Sequence, residues 1–307
     1  MTEKNSIATI LESSAIADAT SAGLAELSRL DREEIESFEK IWSVLEPERR
    51  RRIISSLVDL TENNVELDFN DIFKLALTDA DEDVRCQAIS GLWEVEETGL
   101  IGPLLGLLRN DSSDRVRASA ASALGRFTLL AEHGKIRPGY KDSVKNALLG
   151  ILNDDGVNEE VRRRALESLA PLSVPDVKKA IASAYASGNE RLRVGAIYAM
   201  GRNCDAEWIP ILLKEASSGD PERRFEAATA LGELGDSDAV PRLIELGNDP
   251  DSEVRSAALQ SLGRIGGSEA REYLQSCMSS RDQATREAAR HALDELQANE
   301  DPLSIPL

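Results

Sequence analysis

The sequence predicts an all-α protein, an α-solenoid of about eight stacked helical hairpins with a helical cap at its N-terminal end. Three observations carry that prediction. The first is a phrase repeated eight times, headed by Arg50, Arg85, Arg117, Arg162, Arg193, Arg224, Arg255 and Arg286. Alanine stands three residues after the arginine in seven units, with Ile53 in the other. The sixth place is always Gly, Ala or Ser, and the seventh is leucine except at Met200. The second observation is the spacing, 35, 32, 45, 31, 31, 31 and 31 residues between successive arginines. A helical pair of about that length cannot bury its apolar face alone, so pairs stack and the period persists. The third is composition: aromatics make up only 4% of the chain, so the core is aliphatic, with alanine allowing close helix approach.

The elements follow in order. In residues 1–32, Ile7, Ile10, Leu11, Ile16, Leu24, Leu27 and Leu30 are spaced for one or two short helices. These would cover the open end of the stack, because a terminal repeat must hide its apolar face. Residues 33–297 form the solenoid, each unit a first helix (A), a turn and a second helix (B) carrying the phrase. Pro103, Pro210 and Pro241 lie fourteen residues before their arginines and mark the starts of A helices, where a missing N–H costs nothing. Asp- and Gly-bearing turns separate A from B, and Gly235 and Gly266 close B helices in two units. The 45-residue interval holds an insertion around 127–140. There the third B helix is expected to run on to about Gly134, before Pro138–Gly139 turns the chain. Residues 298–307 are expected to form a flexible tail.

Segments such as EVRSAALQSLGRIGGSEA and ERRFEAATALGELGDSDAVPRLIEL resemble the HEAT-repeat family, in the short form also found in phycobilin lyases. The resemblance covers roughly residues 33–297. It implies a solenoid used as a scaffold or adaptor, with the B helices lining its concave side. It also implies a ladder of Asp–Arg pairs between adjacent units. Asp79, Asp111 and Asp249 each lie six residues before Arg85, Arg117 and Arg255, and a carboxylate there would make charge-assisted hydrogen bonds near a helix N-terminus.

Catalytic and ligand chemistry finds little support. Only two histidines occur, His133 and His291, far apart and followed by Gly and Ala. The repeated His–Glu pairs of the HEAT-type deoxyhypusine hydroxylases are therefore missing. Asp79, Asp81 and Asp83 begin like a calcium loop, but Val84 takes the glycine place and Ser90 that of the bidentate glutamate, so they read as turn and N-cap acids. No phosphate loop, nucleophile elbow or dinucleotide fingerprint occurs. The expectation is no enzyme, no cofactor and no metal.

The net charge of −19 disfavours nucleic acid and anionic membranes and favours a basic or apolar protein partner. Cys86, Cys204 and Cys277 are lone thiols and the N-terminus lacks the pattern of a secretory signal, so a cytoplasmic protein is expected. The arginine runs 49–52 and 162–164 read as solvated faces. At 100° per residue, the places one, five and eight after the arginine lie opposite the leucine stripe, on the expected groove. The eighth is glycine in four units (Gly125, Gly201, Gly232, Gly263) but Trp93 in the second. Tyr198 stands at the fifth place, and Phe225 and Val194 at the first. These four are the expected partner-binding residues of a non-enzymatic adaptor. A bilin lyase or isomerase and a HEAT-type DNA-repair glycosylase are the alternatives that the resemblance leaves.

Overall fold

The computed structural model describes residues 7–12 and 21–300, which hold 18 α-helices and no strand. Ile16 and the residues from 301 onward lie outside them. The chain divides into two compact units, residues 1–168 and 169–307.

In the first unit, α1 (Ile7–Glu12) packs on α3 (Arg32–Trp42), and α2 (Ser21–Ala25) packs on α4 (Pro47–Asn63). Leu11, Leu24 and Leu27 are buried there, and the Arg49 side chain donates to the Leu11 carbonyl. The α3/α4 pair is followed by α5 (Asn70–Ala76) with α6 (Glu82–Gly91), then α7 (Ile101–Asn110) with α8 (Asp114–Glu132). Next come α9 (Pro138–Leu152) and α10 (Glu159–Leu169). The second unit continues with α11 (Pro175–Ala186) and α12 (Glu190–Asn203), α13 (Ile209–Glu215) and α14 (Pro221–Leu234), α15 (Val240–Leu246) and α16 (Ser252–Ile265), α17 (Ser268–Cys277) and α18 (Gln283–Glu300). Helices α6, α8, α12, α14, α16 and α18 pack on their own A helices, and α4, α6 and α8, like α12, α14, α16 and α18, pack in sequence on one another, which is the neighbour contact pattern of an α-solenoid.

Local chemistry sets the ends of these helices. Asp31 caps α3 reciprocally with Glu34, while Asp81, Asn189, Asp220 and Asp251 accept from the first amides of α6, α12, α14 and α16. Pro47, Pro138, Pro175 and Pro221 occupy first helical positions. The third B helix does run on, to Glu132, and Gly134 at φ 70° follows it. Gly235 at φ 70° closes α14 in the left-handed conformation.

The glycines at the eighth place explain the small residues at the sixth. A Cβ built on Gly201 would sit 2.7 Å from Ala230 Cα; one on Gly232 would sit 2.8 Å from Ser261 Cα, and one on Gly263 2.8 Å from Ala292 Cα. In the first unit, Gly125 faces Ser168 more loosely, at 3.4 Å from its Cα. Every one of these contacts joins the eighth place of one B helix to the sixth place of the next. The two small residues are halves of one seam, and side chains on both sides would drive the helices apart.

The charged ladder forms, with different partners from those the spacing suggests. Asp111 takes a bidentate pair from Arg85 (2.8 and 2.7 Å), Asp249 one from Arg224 (2.7 and 2.8 Å), and Asp79 pairs with Arg50 at 2.9 Å. Each carboxylate thus meets the arginine of the preceding hairpin. The arginine of its own hairpin instead donates to backbone carbonyls of the turn: Arg85 to Asp79 O (2.7 Å) and Arg255 to Asp249 O (2.9 Å). Arg255 reaches forward to Asp282 at 3.2 Å. Arg117 is a correction: it bonds Leu108 O and Asp114 and takes no rung. The reason lies in the sequence, since Gly156 stands six residues before the next arginine, and Ser187 and Ser218 interrupt the following places. Burial works against ionisation of Asp249, but the Arg224 guanidinium and the Asp251 amide outweigh it and hold the carboxyl below its ordinary range.

Candidate functional site

Helix α6 is the B helix that departs from the others. It has 10 residues, against 14 for α12, α14 and α16, and it ends at Gly91. Gly91 is fully covered by the Phe73 ring of α5: a Cβ there would stand 2.5 Å from Phe73 Cζ. Beyond Gly91, Leu92 O accepts from the Val95 amide (3.1 Å) and from Arg126 of α8 (3.0 Å) in place of the next helical turn. Trp93 is therefore not on the flank of a helix. It stands in the connection between α6 and α7, and 58% of its surface is exposed.

The other two tryptophans show what a structural indole looks like in this chain. Trp42 is buried and donates to Asp79 Oδ2 at 2.7 Å. Trp208 is buried and donates to Asn203 Oδ1 at 3.2 Å, while Asn203 itself donates to Ala170 O and Leu172 O. The Trp93 indole has neither burial nor a hydrogen bond among the described residues.

Trp93 borders a cleft of about 610 Å³ built from three connections of the first unit. The end of α4 and the α4–α5 loop supply Thr61, Val65, Leu67 and Asp68; the α6–α7 loop supplies Trp93, Glu94, Val95, Glu96 and Glu97; Arg29 enters from the turn after α2. Val65 is 93% exposed, the most open large apolar side chain described. The loops are pinned from both sides: Arg29 N donates to Asp68 O (2.8 Å), and Asp68 N donates to the Ser28 hydroxyl (2.9 Å). Lys74 bridges to Glu97 at 2.8 Å. Two exposed apolar surfaces stand on a held frame, ringed by carboxylates.

The remaining expected contact residues all lie in the second unit. Tyr198 on α12 and Phe225 on α14 are half-buried, and neither offers the open ring that Trp93 does. Val194 is a correction, because it is only 5% exposed. Seven residues separate Val194 from Gly201, so both point the same way from α12, and Gly201 lies against Ala230 of α14. The first and eighth places face the neighbouring B helix. Sequence reasoning missed Val65 and the acids of the α6–α7 loop, although the run EVEE after Trp93 carries a visible concentration of charge.

The other candidate groups are already committed. Arg51 pairs with Asp81 (2.7 Å), Arg52 with Glu48, and Arg163 and Arg164 with Glu160 and Glu167, so neither arginine run is a free cationic patch. Asp79, Asp81 and Asp83 serve Arg50, the α6 N-terminus and Arg115 respectively. Burial first, and Glu215 second, push the Tyr185 phenol up to about 12; its hydroxyl donates to Glu215 at 2.5 Å, a neutral strut on a buried carboxylate. Among the described residues no three His, Cys, Asp or Glu side chains are grouped to hold a metal, and no helix is long and apolar enough to cross a membrane.

Solved structures of similar fold include a chain of a Kap95p–RanGDP complex, 14% identical over 97% of this chain and 46% of that one, with a TM-score of 0.53. Escherichia coli YibA is 16% identical, covering 91% of this chain and 97% of its own, at a TM-score of 0.49. Human deoxyhypusine hydroxylase is 18% identical, covering 86% and 96%, at 0.38. The first of these shows a likeness of fold alone. No curated protein matches the chain. The family described as HEAT repeats matches residues 70–158 and 209–294, more than half of the 307 residues, and the chain belongs to that family.

Proposed function

We propose that this protein is a non-enzymatic scaffold that holds a basic or apolar segment of another protein, and that Trp93 anchors that segment in the first unit. The observation that carries the reading is the exposed indole at the mouth of a loop-built cleft, in a chain whose two other tryptophans are buried and hydrogen-bonded. Aromatic anchors in partly enclosed apolar pockets supply a disproportionate share of interface energy. HEAT repeats support the scaffold half of the proposal. The −19 charge favours a basic partner through faster encounter and rejects phosphate backbones. Three free cysteines, Cys86, Cys204 and Cys277, fit a reducing cytoplasmic setting.

The test is quantitative. The tagged full chain and its Trp93→Ala variant are used to isolate partners from the native host. The partner enriched by the wild type is then titrated against both proteins. A loss of about 2 kcal/mol, roughly thirty-fold in Kd, is expected for the variant. Equal affinity of both proteins for every recovered partner sinks the proposal.

A further inference from the structure

We infer that the Trp93 cleft recognises a guanidinium or ammonium group, that is, an arginine or lysine side chain of a partner segment laid across the indole face. This deepens the scaffold reading and rests on it. Apolar exposure alone would suit any greasy side chain, but the surroundings of this ring narrow the choice. Four carboxylates line the cleft, Asp68, Glu94, Glu96 and Glu97, against the single guanidinium of Arg29. Glu94 and Glu96 are exposed and form no ion pair among the described residues; Glu96 also lies in the field of Arg126, so Glu94 carries the freer charge of the two. Glu97 is shared with Lys74, and the half-buried Arg126 donates to Leu92 O and lies over the Phe127 ring.

No cation among the described residues lies over the Trp93 face. Arg126 and Arg193, which do stack, lie on other rings, Phe127 and Tyr185. Trp is the strongest cation–π platform among side chains. An open indole flanked by uncommitted carboxylates therefore offers a cation both a face and counter-charges, while Val65 is placed to take the aliphatic stem of the same side chain. A carboxylate or phosphate ligand would meet the same acids as repulsion.

The experiment uses the full chain and three dye-labelled dodecapeptides followed by anisotropy: alternating arginine and leucine, citrulline and leucine, and glutamate and leucine. Citrulline keeps the shape of arginine and removes its charge. The arginine peptide is expected to bind at least ten-fold more tightly than the citrulline peptide, and the glutamate peptide not at all. Trp93→Leu, which keeps an apolar surface, should abolish most of that preference, and the double variant E94Q/E96Q should reduce it and flatten its salt dependence. Equal binding of the arginine and citrulline peptides, with loss of both in Trp93→Leu, overturns the cation assignment and leaves the apolar anchor standing. An arginine preference that survives Trp93→Leu unchanged overturns the assignment as well, because it reports the general acidity of the surface. No saturable binding of the arginine peptide below about 1 mM, an affinity weaker than about 4 kcal/mol, overturns it too.

Discussion

The second hairpin and the hairpins of the second unit begin their B helices with the same phrase and end them differently. In α12, α14 and α16 the helix runs 14 residues, and a glycine at the eighth place seats against a small residue of the next B helix. In α6 the helix stops at Gly91, and the residue at the eighth place, Trp93, leaves the seam for solvent. One position in the repeat thus serves as a packing contact or as a presented side chain, and the length of the helix decides which. A repeat protein can gain a contact surface at the end of one helix while its neighbours keep the architecture together.

That comparison is sharpest where the seam is tightest. Gly232→Trp should be the most damaging change considered, because the indole must enter a space where even a Cβ would lie 2.8 Å from Ser261 Cα. A loss of about 3 kcal/mol or more in denaturant unfolding is expected. The reciprocal change, Trp93→Gly, should cost well under 1 kcal/mol. Similar costs for the two would show that the eighth places are not distinct.

The ladder gives the next effect. Removing one partner of the buried Arg224–Asp249 pair, in Asp249→Ala, leaves a guanidinium uncompensated and should cost about 2 kcal/mol. Arg115→Ala breaks only exposed pairs, with Asp83 and Glu82, and should cost less than about 0.5 kcal/mol. If both changes cost the same, the bidentate rung is no stronger than a surface pair.

A smaller effect concerns pH. The Asp249 carboxyl is held below its unfolded value, so its contribution is complete above the ordinary carboxylate range near about pH 4 and is lost as pH falls through the lower folded value. The stability gap between the wild type and Asp249→Asn should therefore be constant at neutral pH and narrow progressively in acid. A gap that widened on acidification would reverse the assignment. The smallest effect belongs to Trp93→Ala, which should leave the denaturation midpoint almost unchanged while weakening partner binding.

The helical period, the caps and the long third B helix were legible because each rests on residues close in sequence: Asp251 ahead of α16, Pro138 at the start of α9, Gly134 after α8. The partner of each rung was not legible. An aspartate six residues before one arginine is also 25 to 29 residues after another, and a period cannot say which guanidinium reaches it. Val194 shows the same limit: its phase was right, but the face it shares with Gly201 points at α14 rather than outward. Trp93 was singled out on a phase argument that assumed a helix where there is none. The available signal was Gly91 followed by a run without apolar periodicity.

The forward-reaching arginine has a consequence for how such an array can lengthen. Any 31-residue stretch cut from the last four units carries one arginine of the repeated phrase, one small residue at the sixth place and one residue at the eighth. In the stretch from Phe225 to Arg255 the outgoing guanidinium, the incoming carboxylate Asp249, and the Gly232 half-seam all travel together. Tandem duplication of that stretch delivers a complete pair of matching ends in a single genetic event. The new copy docks on its template without a compensating substitution, so array length can change faster than array sequence.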